Sequence, residues 1–224
     1  MSITVTSYPK RAEELGARIQ QPRLHELIRR FLYEQENPDS DIPGSDVSLE
    51  DCPPFNNDIR VFHSAIARFY APSNLCGVGG MYREHIRSCP SWFNDGPRRD
   101  TVLVITDSTV QGMAGMTVGR VLLFFSFSHN AIRFPCALIH WMIPIGHQRD
   151  ADTGLWMVKP EYIAGNRPHL AVIHLDSIAR ATHLVGVYGS GSLPDDFHYS
   201  YTLDSFRAFY INKYADHHMH EFLH

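Results

Sequence analysis

The stretch "RVLLFFSFSHNAIRFPCALIHWM", Arg120 to Met142, decides the fold. Val121, Leu123, Phe125 and Phe127 recur at every second residue. A polar break "SHNAIR" follows from Ser128 to Arg133, and Cys136, Leu138, His140 and Met142 then alternate again. A period of two in a run rich in aromatic and β-branched residues is that of a β-hairpin. Apolar side chains also fill most of the intervening positions, so both faces of the pair are expected to be covered, unlike a surface sheet with one wet face.

Working outward, the chain has 224 residues, enough to bury a core without covalent staples. Its four cysteines, Cys52, Cys76, Cys89 and Cys136, show no C-x-x-C spacing. That argues against a zinc ribbon or a disulfide framework and for a reducing, intracellular compartment. No charged, apolar and small-residue leader pattern opens the sequence, and no apolar run approaches the ~20 residues that cross a bilayer, so neither secretion nor membrane insertion is expected. The formal net charge is -4 and the sequence pI about 6.4. A global basic field of the kind that drives nonspecific nucleic-acid binding is therefore excluded, and any contact with DNA has to be local.

From Ser7 to Glu36, two helical pieces broken at Pro22 are expected, the second with Leu24, Leu27, Ile28, Phe31 and Leu32 on one face. "ENPDSDIPGSDVSLEDCPPFNND" is dense in Pro, Gly, Ser and Asp without apolar periodicity and reads as a loop or linker from about Asn37 to Asp58. Short strands are expected in "DTVLVITD" (Asp100 to Asp107), "GLWMVKPEY" (Gly154 to Tyr162) and "HLAVIHLDSI" (His169 to Ile178); "IRVFHSAIARFYAP" (Ile59 to Pro72) fits either a strand or a short helix. After a Thr202 or Asp204 cap, Leu203, Phe206, Phe209, Tyr210 and Tyr214 stand at helical spacing and predict a C-terminal helix. The fold class that follows is α+β. A mostly β small barrel spans residues 59–200, preceded by an N-terminal helical arm (1–36) and a linker loop (37–58), with a C-terminal helix over 201–224 packed on the barrel.

Several groups of residues carry candidate chemistry. In "ADHHMHEFLH", Ala215 to His224, His217 and Glu221, or His220 and His224, stand four apart, the spacing of paired metal ligands on one helix face. The order is H-H-M-H-E rather than H-E-x-x-H, so a polar chain end that binds metal weakly is the plainer reading. Asp107 and Asp176 end two apolar strands, and with Asp204 or Glu221 they offer the clustered carboxylates that a two-metal nuclease needs. The same aspartates equally suit the capping of turns and helix starts. "NLCGVGGMYREHIR", Asn74 to Arg87, holds Gly77, Gly79 and Gly80 but is neither a Walker loop nor a G-x-G-x-x-G between strand and helix. It leads into the densest basic and aromatic neighbourhood of the chain: Arg83, His85, Arg87, Trp92, Arg98 and Arg99. If these residues share a face they can meet a phosphate backbone; the alternative is a solvated charged turn with Trp92 in the core. Cys76 or Cys89 beside His63 or His85 has only its residue types to suggest thiol catalysis, and "GVYGSGS" (Gly186 to Ser192) lacks the context of a nucleophile elbow.

Taken in order, "YPKRAEELGARIQQPRL", "VFHSAIARFYAPSNLCGVGGMYREHIRSCPSW", "GRVLLFFSF", "FPCALIHWM", "VIHLDSIARATHLVGVYG" and "LDSFRAFYINKYADHHMHE" resemble the C-terminal region of Plavaka-type transposases, CACTA-like DNA transposons abundant in mushroom-forming fungi. The resemblance runs from about Ser7 to Glu221 and is most specific in "FYAPS…GGM", "RVLLFFSF" and "NKYADHH". It implies a transposase-derived chain. The acidic residues of the family's strand-transfer core lie upstream of the matched region, so none falls on a position of this sequence. The strand order is also similar, as fold-level analogy, to a BAH-like barrel. The expected function is a noncatalytic accessory or interaction domain, intracellular and nuclear, with no cofactor, docking to DNA, chromatin proteins or other transposase subunits. Neither a membrane nor a specific small molecule is expected as a partner. Arg83, Arg87, Arg98 and Arg99 are the candidate backbone contacts, and Tyr70, Trp92, Trp141 and Trp156 the candidate aromatics of a docking groove. The rivals are a metal-dependent nuclease using Asp107, Asp176 and Asp204 or Glu221, and a decayed fragment with no selected role.

Overall fold

A computed structural model of the protein describes residues 4–5, 7–72, 78–189 and 191–223. In chain order the strands are β1 (Thr4–Val5), β2 (Arg60–Phe62), β3 (Ser64–Tyr70), β4 (Met81–Cys89), β5 (Arg98–Arg99), β6 (Thr101–Ile105), β7 (Met116–His129), β8 (Ile132–Pro144), β9 (Met157–Pro160), β10 (Tyr162–Ile163), β11 (Arg167–Pro168), β12 (Leu170–His174), β13 (Ile178–Thr182), β14 (Leu184–Gly186) and β15 (Phe209–Ile211). The helices are α1 (Ala12–Arg18), α2 (Leu24–Glu36), α3 (Thr202–Ser205) and α4 (His217–Phe222).

The expected hairpin is the spine of the molecule. β7 and β8 pair antiparallel from Val118 opposite Met142 to His129 opposite Ile132. The turn places Asn130 and Ala131 at φ of 50° and 64°, the left-handed pair that a two-residue hairpin with right-handed strand twist requires. The strict alternation read from the sequence fails at one point: the register shifts between Val121 and Leu123, a β-bulge. The extra residue sends Val121 into the same core as Phe124, Ala137 and Ile139, whereas Leu123, Phe125 and Phe127 join Cys136 and Leu138 on the opposite face. Val121 therefore does not share a face with the other three.

Neighbouring strands extend the pair into a nearly closed, barrel-like antiparallel sheet of seven strands, giving the mostly β, α+β fold expected from the sequence. The interior holds Phe62, Val102, Val104, Val121, Phe124 and Ile139, and the separate β3–β4–β5 sheet contributes Ala65 and Ile86 to it. On the outer face, α2 seats Leu24, Leu27, Ile28, Phe31 and Leu32 against Leu123, Phe125, Phe127 and Leu138. At the far end Met142, Val158, Phe209, Ile211, Met219 and Leu223 form a further cluster. β7 and β8 are thus covered on both sides.

The linker is tied to α2. Arg29 donates to the carbonyl oxygens of Leu49 and Cys52 at 2.7 Å and of Pro53 at 2.9 Å, and Cys52 and Phe55 are buried. On the same helix Glu26 accepts from Arg23 (2.8 Å) and Arg30 (2.9 Å), and these hydrogen bonds, led by that from Arg23, hold its carboxyl at a pKa of about 2. The ambiguous Ile59–Pro72 stretch resolves as β2 and β3. The helix expected across Leu203 to Tyr214 does not form: only the four-residue α3 precedes β15, which pairs with β9 and β14, and the terminal helix starts at His217. Phe209 and Ile211 are buried at 0% and 1% exposure with Tyr210 half-buried between them, so pairing with a strand on each side overrides the local helical period. Among the described residues no helix is long and apolar enough to cross a membrane.

Leu138→Ala, which empties a site at 0% exposure between β8 and α2, is expected to cost about 2–5 kcal/mol in urea unfolding, and Ile132→Ala at the exposed turn less than about 0.5. Because the Glu26 carboxyl titrates lower in the folded protein than the ordinary 4.5, its stabilising contribution is complete above that value and is lost as pH falls towards about 2. Glu26→Gln should flatten the fall of the urea midpoint over this acid window.

Candidate nucleic-acid interface

Alternation along β4 divides its side chains between two faces. Glu84, Ile86 and Ser88 turn towards the barrel, Ile86 at 1% exposure; Met81, Arg83, His85 and Arg87 turn outward. The cross-strand register places Tyr70 opposite Met81, Arg68 opposite Arg83 and Ser64 opposite Arg87 on β3, and Arg98 opposite Cys89 on β5. Residues opposite one another project to the same side of a sheet. Arg68, Arg83, His85, Arg87 and Arg98 therefore share one face of the small sheet, with Tyr70 at its end.

The loop between β4 and β5 completes this face. Two guanidinium groups pack on Trp92, Arg87 at 4.6 Å and Arg98 at 4.9 Å from its ring centre. This is cation–π packing on an indole. Asp100 receives the Arg87 backbone N–H at 2.8 Å and the Arg98 side chain at 2.8 Å, which fixes the two arginines relative to each other. The turn itself puts Phe93 and Asn94 at φ of 53° and 62° and leaves Phe93 84% exposed. A bulky aromatic in the left-handed region is uncommon, and such conformations persist only where the surroundings hold them. Here the holding bonds are Trp92 N–H to the Gly96 carbonyl (3.1 Å), Gly96 N–H to Asp95 (2.8 Å) and Tyr199 O–H to Asp95 (3.1 Å).

Behind the face sits a buried cluster that sequence reasoning missed. Arg180 on β13 is 3% exposed; it donates from Nη1 to Asp216 (3.1 Å) and to His218 Nδ1 (2.8 Å), bonds the second Asp216 oxygen through Nη2, and lies 3.8 Å from Glu84. Its guanidinium also covers the Phe69 ring at 4.8 Å, and His218 stacks on that ring at 4.8 Å. Because an arginine only donates, His218 accepts at Nδ1 and is the neutral tautomer, in keeping with burial pushing its pKa down. Burial likewise pushes the Glu84 carboxyl up, against the Ala181 N–H and the Arg180 charge that favour its ionised form. Asp216 also caps α4, accepting the Met219 N–H at 2.7 Å. One guanidinium thus joins the barrel, the small sheet and the terminal helix.

The other residues singled out in the sequence lie elsewhere. Arg99, next to Arg98, projects to the opposite side of the small sheet; it borders both a cavity lined by His85, Arg98, Arg180 and Asp216 and a second one lined by Arg120 and Asp204. Trp141 packs on the barrel interior and Trp156 on the cluster around Phe209. Asp107 is held in its turn by Thr109, Asp176 is 90% exposed beside His174, and Asp204 pairs with Arg120. Asp107 and Glu221 line one cleft of about 380 Å³, which neither Asp176 nor Asp204 reaches. On α4, His217 and Glu221 stand one turn apart and His220 stacks on Tyr214; His224, like Cys76 and Gly77, lies outside the described residues. Among the described residues no three His, Cys, Asp or Glu side chains form a group able to hold a metal ion. Cys89 is buried and its thiol pKa is raised by that burial, the opposite of an activated nucleophile.

No protein-family model, no curated protein and no solved structure matches the chain. Removing one partner of the buried pair tests the cluster: Asp216→Asn should cost about 3–5 kcal/mol in urea unfolding, and amide exchange should accelerate in α4 before it does in β7 or β8.

Proposed function

We propose that the chain is a noncatalytic docking domain of a transposon-derived protein, and that the outer face of β3, β4 and β5 grips the sugar–phosphate backbone of DNA. The observation that carries this reading is the placement of Arg68, Arg83, Arg87 and Arg98 on one sheet face, with Arg87 and Arg98 packed on Trp92 and Phe93 exposed in the adjoining turn. Among the described residues Arg68, Arg83 and Arg87 form no ion pair with a carboxylate, so their charge is not neutralised by the protein. A net charge of -4 over the whole chain makes such an unneutralised local patch a feature of this face rather than of general basicity. Arginine forks match phosphate geometry, and an exposed aromatic offers an unpaired base a sequence-tolerant stacking surface.

The resemblance to the C-terminal region of Plavaka-type transposases supports the same assignment, because a region without the acidic strand-transfer residues acts by positioning the element rather than by cutting it. A nuclear location and the wider set of partners, chromatin proteins or other transposase subunits, belong to this proposal. The nuclease alternative gains no support from the positions of Asp107, Asp176, Asp204 and Glu221.

The test is fluorescence anisotropy with a short labelled duplex over a salt series. The wild-type chain should bind at low salt, and Arg83→Ala with Arg87→Ala should reduce the slope of log affinity against log salt by about 2, one step per lost phosphate contact. Phe93→Ala should weaken single-stranded DNA by about 1–3 kcal/mol and leave the duplex slope unchanged. A wild-type chain that fails to bind either form at low salt would remove the reading.

A further inference from the structure

Besides bordering the cavity behind the basic face, Arg99 lines a second cavity of about 230 Å³, shared with Arg120, His140, Tyr162 and Asp204. The arginines are in unequal states. Arg120 has a side chain 12% exposed and grips the Asp204 carboxylate with both terminal nitrogens, the Nη2 bond being 2.9 Å, yet its Nε–H is fully buried with no hydrogen-bond partner. Arg99 is half-buried, and among the described residues its side chain makes neither a hydrogen bond nor an ion pair. Burial, and then the nearby Arg120 charge, lower its pKa, with the Asp204 charge opposing them. His140 adds no positive charge: it is 8% exposed, its Nε2 lies 2.8 Å from the Glu161 carbonyl oxygen, and burial lowers its pKa.

Two guanidinium groups thus line a partly enclosed space that holds one carboxylate, which pairs with Arg120 and leaves Arg99 without an ion pair among the described residues. A buried arginine without a counter-charge is unfavourable, and the cavity is electrostatically incomplete. Among the described residues only Arg120 bonds this carboxylate. Asp204 is 61% exposed on the one-turn α3, between the apolar anchors Leu203 and Phe206, and Phe206 packs so closely on Gly186 that a Cβ there would lie 2.6 Å from its ring. The Asp204 carboxylate thus sits at the solvent-exposed mouth of the cavity while its two neighbours are anchored.

We infer that the Arg99–Arg120 cavity is a binding site for a phosphate group and that Asp204 occupies it as an internal competitor in the unliganded protein. A phosphate monoester carries about two negative charges near neutral pH and accepts from several directions, which matches the pair of guanidinium groups after Asp204 swings away; a carboxylate satisfies only one.

Calorimetric titration with inorganic phosphate, and in parallel with acetate, tests this on the intact chain. Asp204→Asn removes the competitor and, with circular dichroism melting confirming that the variant is folded, should tighten phosphate binding by at least about tenfold, because the competent state then needs no rotation. Adding Arg99→Gln to Asp204→Asn should abolish that gain, with circular dichroism melting confirming that the double variant is folded. Phosphate bound no more tightly by Asp204→Asn than by the wild type, retention of the gain in the double variant, or acetate binding as tightly as phosphate would each overturn the inference.

Discussion

The Arg180 guanidinium is the constraint on which the arrangement of this molecule rests. A charge at 3% exposure is stable only if its donors are met, and here they are met from two other parts of the chain: Asp216 and His218 at the start of α4, and Glu84 and the Phe69 ring on the small sheet. The barrel strand β13 carries the arginine. The sheet bearing the basic face is therefore locked to the barrel through its inner side, so the outer side is free to be charged without loss of packing.

This division of labour follows from the period of two in a strand. On β4, Glu84 and Ile86 bind the barrel while Arg83, His85 and Arg87 stand outward. On β5 the adjacent pair splits the same way, with Arg98 against Trp92 and Arg99 in the cavity with Arg120. Consecutive arginines in the sequence thus lie on different faces, and an overall acidic chain still presents a local cationic surface. The Trp92–Gly96 turn adds the aromatic part of that surface at the cost of a left-handed Phe93, held by bonds to Gly96, Asp95 and Tyr199.

Much of this was legible in the sequence. The apolar alternation around Phe125 and Leu138 marked the hairpin, the stripe from Leu24 to Leu32 marked α2, and the density of Arg83, Arg87, Trp92 and Arg98 marked a shared basic and aromatic face. What stayed hidden was long-range pairing. The bulge at Leu122 leaves a sequence that still looks evenly alternating, so Val121 was placed on the wrong face. Phe209 to Ile211 is too short to reveal a strand against a helical pattern of its neighbours, and only β9 and β14 decide it. Arg68 gains meaning from its register opposite Arg83, and Phe93 from its exposed turn. Arg180 and Asp216 are 36 residues apart, a separation that no local motif reports.

The central claim, that DNA lies on the outer face of β3, β4 and β5, is tested most directly by ultraviolet cross-linking of the intact chain to labelled DNA, followed by peptide mapping. The account predicts that the cross-links fall on peptides containing Tyr70 and the Trp92–Phe93 turn. Cross-links confined to α2, or to the segment around Trp156, would contradict it.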